Sequence, residues 1–152
     1  MSFIDYTQSN INVKMGKTAI SKTKGGLVCY GLGSCVGVYI HDFKLKIGGA
    51  AHVWLPYAKN TCILTELIHK LMDMGCSNST MQVTLVGGAK VVKELQQEIG
   101  SMNVSFVKNV LAQFNMSITS YSLGGHLSRT AKMDVTTGLV AIKTRAGLEV
   151  LN

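Results

Sequence analysis

Two side chains in this sequence could do covalent chemistry together: Cys35, which closes the stretch "GLGSC" (31–35), and His52, seventeen positions on in "HVWLP" (52–56). A thiolate is a strong nucleophile, and a free thiol ionises near pH ~8.5; an adjacent imidazolium lowers that value and populates the thiolate at neutral pH. The glycines ahead of Cys35 predict a tight turn. In such a turn the backbone of Gly33 and Ser34 can approach a ligand, and bare N–H groups can be aimed at a developing oxyanion. His52 is the best-placed base of the four histidines, with small residues before it and Pro56, a strand terminator, after it. The same residue types also fit an ordinary interior: a buried cysteine packs as a small hydrophobe, and a core histidine can simply be hydrogen-bonded. Spacing alone does not choose between the two.

Zinc would need more than this pair. Cys29, Cys35, His41 and His52 offer two sulfurs and two nitrogens, but the six-residue step between the cysteines lacks the knuckle spacing of structural zinc sites. His41 falls in a turn at the far end of Cys35's own strand. The sequence therefore predicts no metal. Cys62 and Cys76, at the two ends of a helix, are expected to pack; His69 and His126 are expected at the surface or in a turn.

The elements that must position the pair can be read from periodicity. "LVCY", introduced by Gly25-Gly26, and "CVGVYI" predict strands on either side of the glycine turn, so that Cys35 sits where the turn enters a strand. "HDFK" (41–44) predicts a hairpin turn into "KIGGAAHVWLP", whose run Gly48 to Ala51 implies close packing against a neighbouring element. From Asn60, read as the N-cap, Ile63, Leu64, Leu67, Ile68, Leu71 and Met72 recur at helical spacing up to Gly75. "MQVTLVGG" is a buried strand, Val104 to Phe114 mark a second long helix with room for a shorter one before it, and the tail returns to strands in "SITSYS", "RTAKMDV" and "LVAIKT". Such a mixture predicts α/β layers around one sheet system.

At 152 residues the chain is expected to form a single domain (1–152). No run of eighteen apolar residues exists, and "MSFIDYTQSN" lacks the regions of a signal peptide, so a cytoplasmic protein with reduced thiols and no membrane insertion is expected. The net charge of +7 favours acidic partners, but the lysines are scattered, only two arginines occur, and no aromatics interleave them, a pattern that argues against a nucleic-acid groove.

The string "GLGSC" followed by "HVWLP" resembles the signature of the CheD family, the chemoreceptor glutamine deamidases of bacterial and archaeal chemotaxis. "VGGA" (86–89), "IGSMN" (99–103), Gly124-Gly125 with Arg129 soon after, and "TTG" (136–138) match it in the same order. The resemblance covers the chain from about Gly26 to Lys143. It implies a three-layer α/β/β sandwich shared with toxin-type cysteine deamidases, a catalytic pair carried by Cys35 and His52, hydrolysis of receptor glutamine side chains through a thioester, and no metal or organic cofactor. The partners it implies are methyl-accepting chemotaxis receptors and the CheC phosphatase.

Two positions depart from the family pattern. Where the family has a threonine that orients the histidine, six residues before the cysteine, this chain has Cys29; either this third catalytic position or a backbone carbonyl then orients His52. Met102 stands where members often carry arginine. Two other classes fit the sequence: a CheD-like binding module that docks to CheC and modulates it, and, from composition alone, a basic anion- or RNA-binding domain in which Cys35 is structural. Ammonia release from receptor fragments separates the first from an enzyme, and a salt-dependent shift of RNA would be needed for the second.

Overall fold

The computed structural model describes residues 9–54, 58–92 and 98–151, with residues 58–62 described by their backbone alone. Pro56, the N-terminal eight residues, the side chain of Cys62 and most of the span read as a shorter helix lie outside the described residues. Ten strands and two helices follow in the order β1 (Asn10–Asn12), β2 (Thr18–Lys22), β3 (Gly26–Leu32), β4 (Val36–Asp42), β5 (Ile47–Val53), α1 (Ala58–Asp73), β6 (Met81–Gly87), α2 (Ile99–Gln113), β7 (Ser120–Leu123), β8 (Arg129–Asp134), β9 (Val140–Thr144) and β10 (Gly147–Leu151). They form two five-stranded sheets, ordered β2-β5-β4-β6-β7 and β1-β3-β8-β9-β10.

The first of these sheets is central. Every residue of β4 and β5 is buried, because helices cover one face and the second sheet covers the other. Alternation along β4 sorts the two faces: Val36, Val38 and Ile40 pack with Leu64, Leu67 and Leu111 of the helices, whereas Cys35 and Tyr39 pack with Leu27, Cys29 and Ala131 of the second sheet. The small residues of β5 serve the same two contacts. A Cβ on Gly49 would meet Leu67 and Leu71 at 3.0 and 3.2 Å, and one on Gly48 would meet Met133 at 2.6 Å. Neighbouring positions thus let a helix approach one face and a sheet the other.

Helix α1 buries the stripe Leu64, Leu67, Ile68 and Leu71, each such side chain contributing roughly 1.5–3 kcal/mol on leaving water. It begins at Ala58, so Asn60 is inside its first turn and is not the cap, a correction to the sequence reading. Its end is as expected: Gly75 (φ 98°) takes the left-handed conformation, with Cys76 N–H donating to Leu71 O and Gly75 N–H to Met72 O. His41 is placed in β4 rather than in a turn, with its ring Nε2 bonded to Val135 O at 2.7 Å; the hairpin turn itself is residues 43–46, tied by the Asp42 carboxylate to the N–H groups of Lys44 and Leu45. Strands β1, β2 and β10 have no counterpart in the sequence reading.

Candidate active site

Cys35 immediately precedes β4, and His52 lies opposite Gly37 in the antiparallel β4–β5 pair. Residues directly opposite share a face, and so do residues two apart on one strand, so the thiol and the imidazole are diagonal neighbours on the face turned toward the second sheet. Gly37 leaves that face open between them. The space is used by Cys29 of β3: a Cβ at position 37 would lie 3.5 Å from its sulfur. The structure thus brings Cys35, His52 and Cys29 into one buried cluster, exposed by 6%, 3% and 0%.

His52 is held from three directions by the segment before β2. Its backbone N–H donates to Lys17 O (3.0 Å), its carbonyl accepts from Gly16 N–H (2.8 Å), and its ring Nδ1 is 2.9 Å from Val13 O. A carbonyl can only accept, so Nδ1 carries the proton and Nε2 is the basic nitrogen of the neutral ring. Nε2 is buried and has no hydrogen-bond partner among the described residues. An orphaned buried acceptor costs free energy, and a site that keeps one on the thiol's own sheet face retains a base ready to accept a proton. Of the two candidates for orienting the ring, a backbone carbonyl, that of Val13, holds Nδ1, while the Cys29 thiol lies against the Tyr39 hydroxyl, which itself donates to Ala131 O at 2.8 Å.

Burial sets the charge state. It pushes the Cys35 thiol up from its ordinary 9.0, partly offset by the residue's own backbone N–H, and pushes His52 down from its ordinary 6.5 against the pull of the Val13 carbonyl. At neutral pH the pair is therefore a thiol beside a neutral imidazole. Desolvation penalises thiolate and imidazolium alike, so burial favours the neutral form of each. Cys29 is driven further, up to about 12, by burial first, eased by Tyr39 and reinforced by Cys35.

The turn before Cys35 is clamped by the loop after β6. Ala89 N–H donates to Gly33 O and Gly88 N–H to Cys35 O, both at 2.8 Å. Gly87 (φ 117°) is a glycine by necessity, since a Cβ there would run into the Cys35 carbonyl. Gly87→Ala is expected to lose about 2–4 kcal/mol of stability from strained backbone plus this clash, read as a lowered midpoint in urea unfolding. A cleft of about 520 Å³ opens at Gly33 and Ser34, walled by Lys90, Val91, Ile99 and Gly125. Cys35 adjoins it through Ser34. Among the described residues no group of three His, Cys, Asp or Glu side chains converges to hold a metal, and His126 lies at the rim of this cleft, its Nδ1 3.0 Å from Lys90 O.

Two contributors escaped the sequence reading. Val13 acts through a carbonyl that every residue possesses, so no side-chain signal could reveal it. Asn103, fully buried on α2, donates its amide to Ser34 O at 2.9 Å; its only trace is its place in "IGSMN".

Fold and site together define an α/β protein that sets a thiol and an available imidazole nitrogen on one covered sheet face, beside a glycine turn and an open cleft. The profile of a family described as CheD chemotactic sensory transduction matches residues 55–144. The chemoreceptor glutamine deamidase CheD of Thermotoga maritima is 31% identical over 150 residues, covering 91% of this chain and 94% of its own. The probable chemoreceptor glutamine deamidase CheD of Pyrococcus abyssi is 30% identical, with 93% and 95% covered. That of Oceanobacillus iheyensis is 35% identical over 74% of this chain and 78% of its own. Among solved structures, the Bacillus licheniformis hypothetical protein YfiH superposes on 69% of this chain and 49% of its own, with a TM-score of 0.49 and 15% identity. The chain belongs to the CheD family.

Proposed function

We propose that this protein is a cysteine-dependent deamidase that converts glutamine side chains of methyl-accepting chemotaxis receptors to glutamate. The observation that carries the reading is His52: its ring is locked by Val13 so that the basic Nε2 is unpartnered on the same sheet face as Cys35. In this mechanism Cys35 attacks the carboxamide carbon as Nε2 takes the thiol proton. The oxyanion forms beside the N–H groups of Ser34 and Cys35, because that of Gly33, expected to be bare, is already donated to Gly31 O at 3.0 Å. His52 then protonates the departing nitrogen, which leaves as ammonia, and water activated by the same imidazole hydrolyses the thioester. Each proton is accounted for by one histidine, and no step requires a metal or an organic cofactor.

Family membership and the Thermotoga relative, a chemoreceptor glutamine deamidase, support this assignment. The layer order of helices, central sheet and second sheet supports the α/β/β sandwich of toxin-type cysteine deamidases, in one domain spanning 1–152. We place the protein in the cytoplasm, where thiols stay reduced and receptor signalling domains are accessible, with CheC as a second partner. Among the described residues no helix is long and apolar enough to cross a membrane. The test is mass spectrometry of a purified receptor signalling domain incubated with the protein. Ammonia release with the small mass gain of Gln to Glu conversion is expected, and an unmodified receptor would overturn the assignment.

The role of Cys29 follows from the same geometry. Val13 already orients the ring, so Cys29→Thr is expected to leave kcat within about twofold, with the new hydroxyl finding Tyr39 as its partner. A several-fold rise in kcat at constant KM would show instead that the thiol is a poor substitute for a hydroxyl at this position.

A further inference from the structure

Three consecutive carbonyls of the nucleophile turn are held by three separate donors. Those of Gly33 and Cys35 are bonded by the backbone of Ala89 and Gly88, whereas that of Ser34 is bonded by the side chain of Asn103 at 2.9 Å. Asn103 is fully buried, and its Oδ1 has no partner among the described residues. An interior amide that leaves its acceptor unused is costly, and the side-chain bond it makes among the described residues is aimed at the turn. The approach is built into α2. A Cβ at Gly100 would lie 2.7 Å from Ala89 O, so the glycine lets the helix start rest on the 88–89 loop, and Asn103 follows three residues later on the same helical face.

A trans peptide points its C=O and its N–H in opposite directions, and the described chain contains no cis bond. Fixing Ser34 O therefore fixes the N–H of Cys35. That N–H belongs to the same residue as the sulfur and helps to stabilise its charged form. The carbonyl oxygen of an attacked amide arrives at the same place once the C–S bond forms and its π electrons move onto oxygen.

We infer that Asn103 is a positioning residue for the oxyanion: by holding the Ser34–Cys35 peptide plane, it aims the Cys35 N–H at the charge that develops in the transition state. The inference rests on the deamidase reading and adds a group that reaches the reacting atoms only through the turn.

Alkylation separates this role from a merely structural one. Attack of Cys35 on iodoacetamide is a displacement at a saturated carbon and creates no oxyanion, whereas attack on a glutamine carboxamide does. In the full chain, Asn103→Ala is expected to lower kcat for deamidation of a purified receptor signalling domain by on the order of 10²-fold, the scale of losing an oxyanion donor. KM and the alkylation rate of Cys35 should each stay within about twofold. Asn103→Ser, smaller but polar, replaces it if the alanine variant does not fold. An unchanged kcat in a folded variant overturns the proposal, as does a fall in alkylation that matches the fall in kcat, which would mean that Asn103 only supports the turn. Absence of deamidation by the unaltered protein overturns the deamidase reading itself, a result distinct from either.

Discussion

Cys35→Ala is expected to reduce receptor deamidation by at least ~10³-fold and to leave the fold standing. The activity loss follows from the mechanism: without the sulfur no thioester can form, and water attack on an amide, even one held in the cleft, lacks the nucleophile that divides the reaction into two easier steps. The structural cost is smaller. Cys35 is buried in the intersheet cluster, but it sits in the turn just before β4, and the change removes one sulfur atom without stranding a polar group. A penalty of about 1–2 kcal/mol is expected from the small cavity. Mass spectrometry of the receptor and a urea melt of the variant measure the two effects side by side. Retained ammonia release would remove Cys35 as nucleophile, and collapse of the melt would show that its packing matters more than its chemistry.

The residues that could be recognised in the sequence were those whose side chains carry the signal. Strands β3 to β6 announced themselves because both faces of β4 and β5 are covered, so that their apolar and small residues run almost without interruption. The peripheral strands had no such mark. Strand β1 is three residues, "NIN", paired in parallel with β3, and β10 is exposed along nearly its whole length. Both are edge strands, where burial does not dictate residue type. The site divides in the same way. Thiol, imidazole and glycine turn were readable from residue type, and the register that brings Cys35 and His52 onto one face follows from the hairpin. The partner of the imidazole was not readable, because it is the carbonyl of Val13, thirty-nine residues away in a segment with no periodic pattern. The charge state was not readable either. Burial decides it, and residue types in a tight turn do not say how deeply the structure encloses the thiol.

That charge state leads to the pH dependence of His52→Gln. In the unaltered protein the working form is a neutral thiol beside a neutral imidazole, so activity should persist below the ordinary histidine value of 6.5 and fall only as His52 protonates at lower pH. Toward alkaline pH the rate should stay level, because His52 removes the thiol proton during attack and does not wait for ionisation. Glutamine keeps a donor for Val13 O but supplies no base. The variant must then rely on pre-formed thiolate, and burial holds the Cys35 thiol above its ordinary 9.0. Under about 1% of the protein would carry the thiolate at pH 7, so a loss on the order of 10²-fold or more is expected there. The residual rate should climb about tenfold per pH unit through pH 9, narrowing the gap between variant and parent. Stability runs the same way in acid. Because the folded-state value of His52 is depressed, its contribution is fully present above 6.5 and is lost as pH falls through the folded value. The glutamine variant should accordingly lose less stability than the parent between neutral and mildly acidic pH. A variant whose rate is low but independent of pH would show that His52 shapes the site without taking the proton. A parent whose rate climbs steadily through pH 9 would show that the thiolate forms on its own before it attacks.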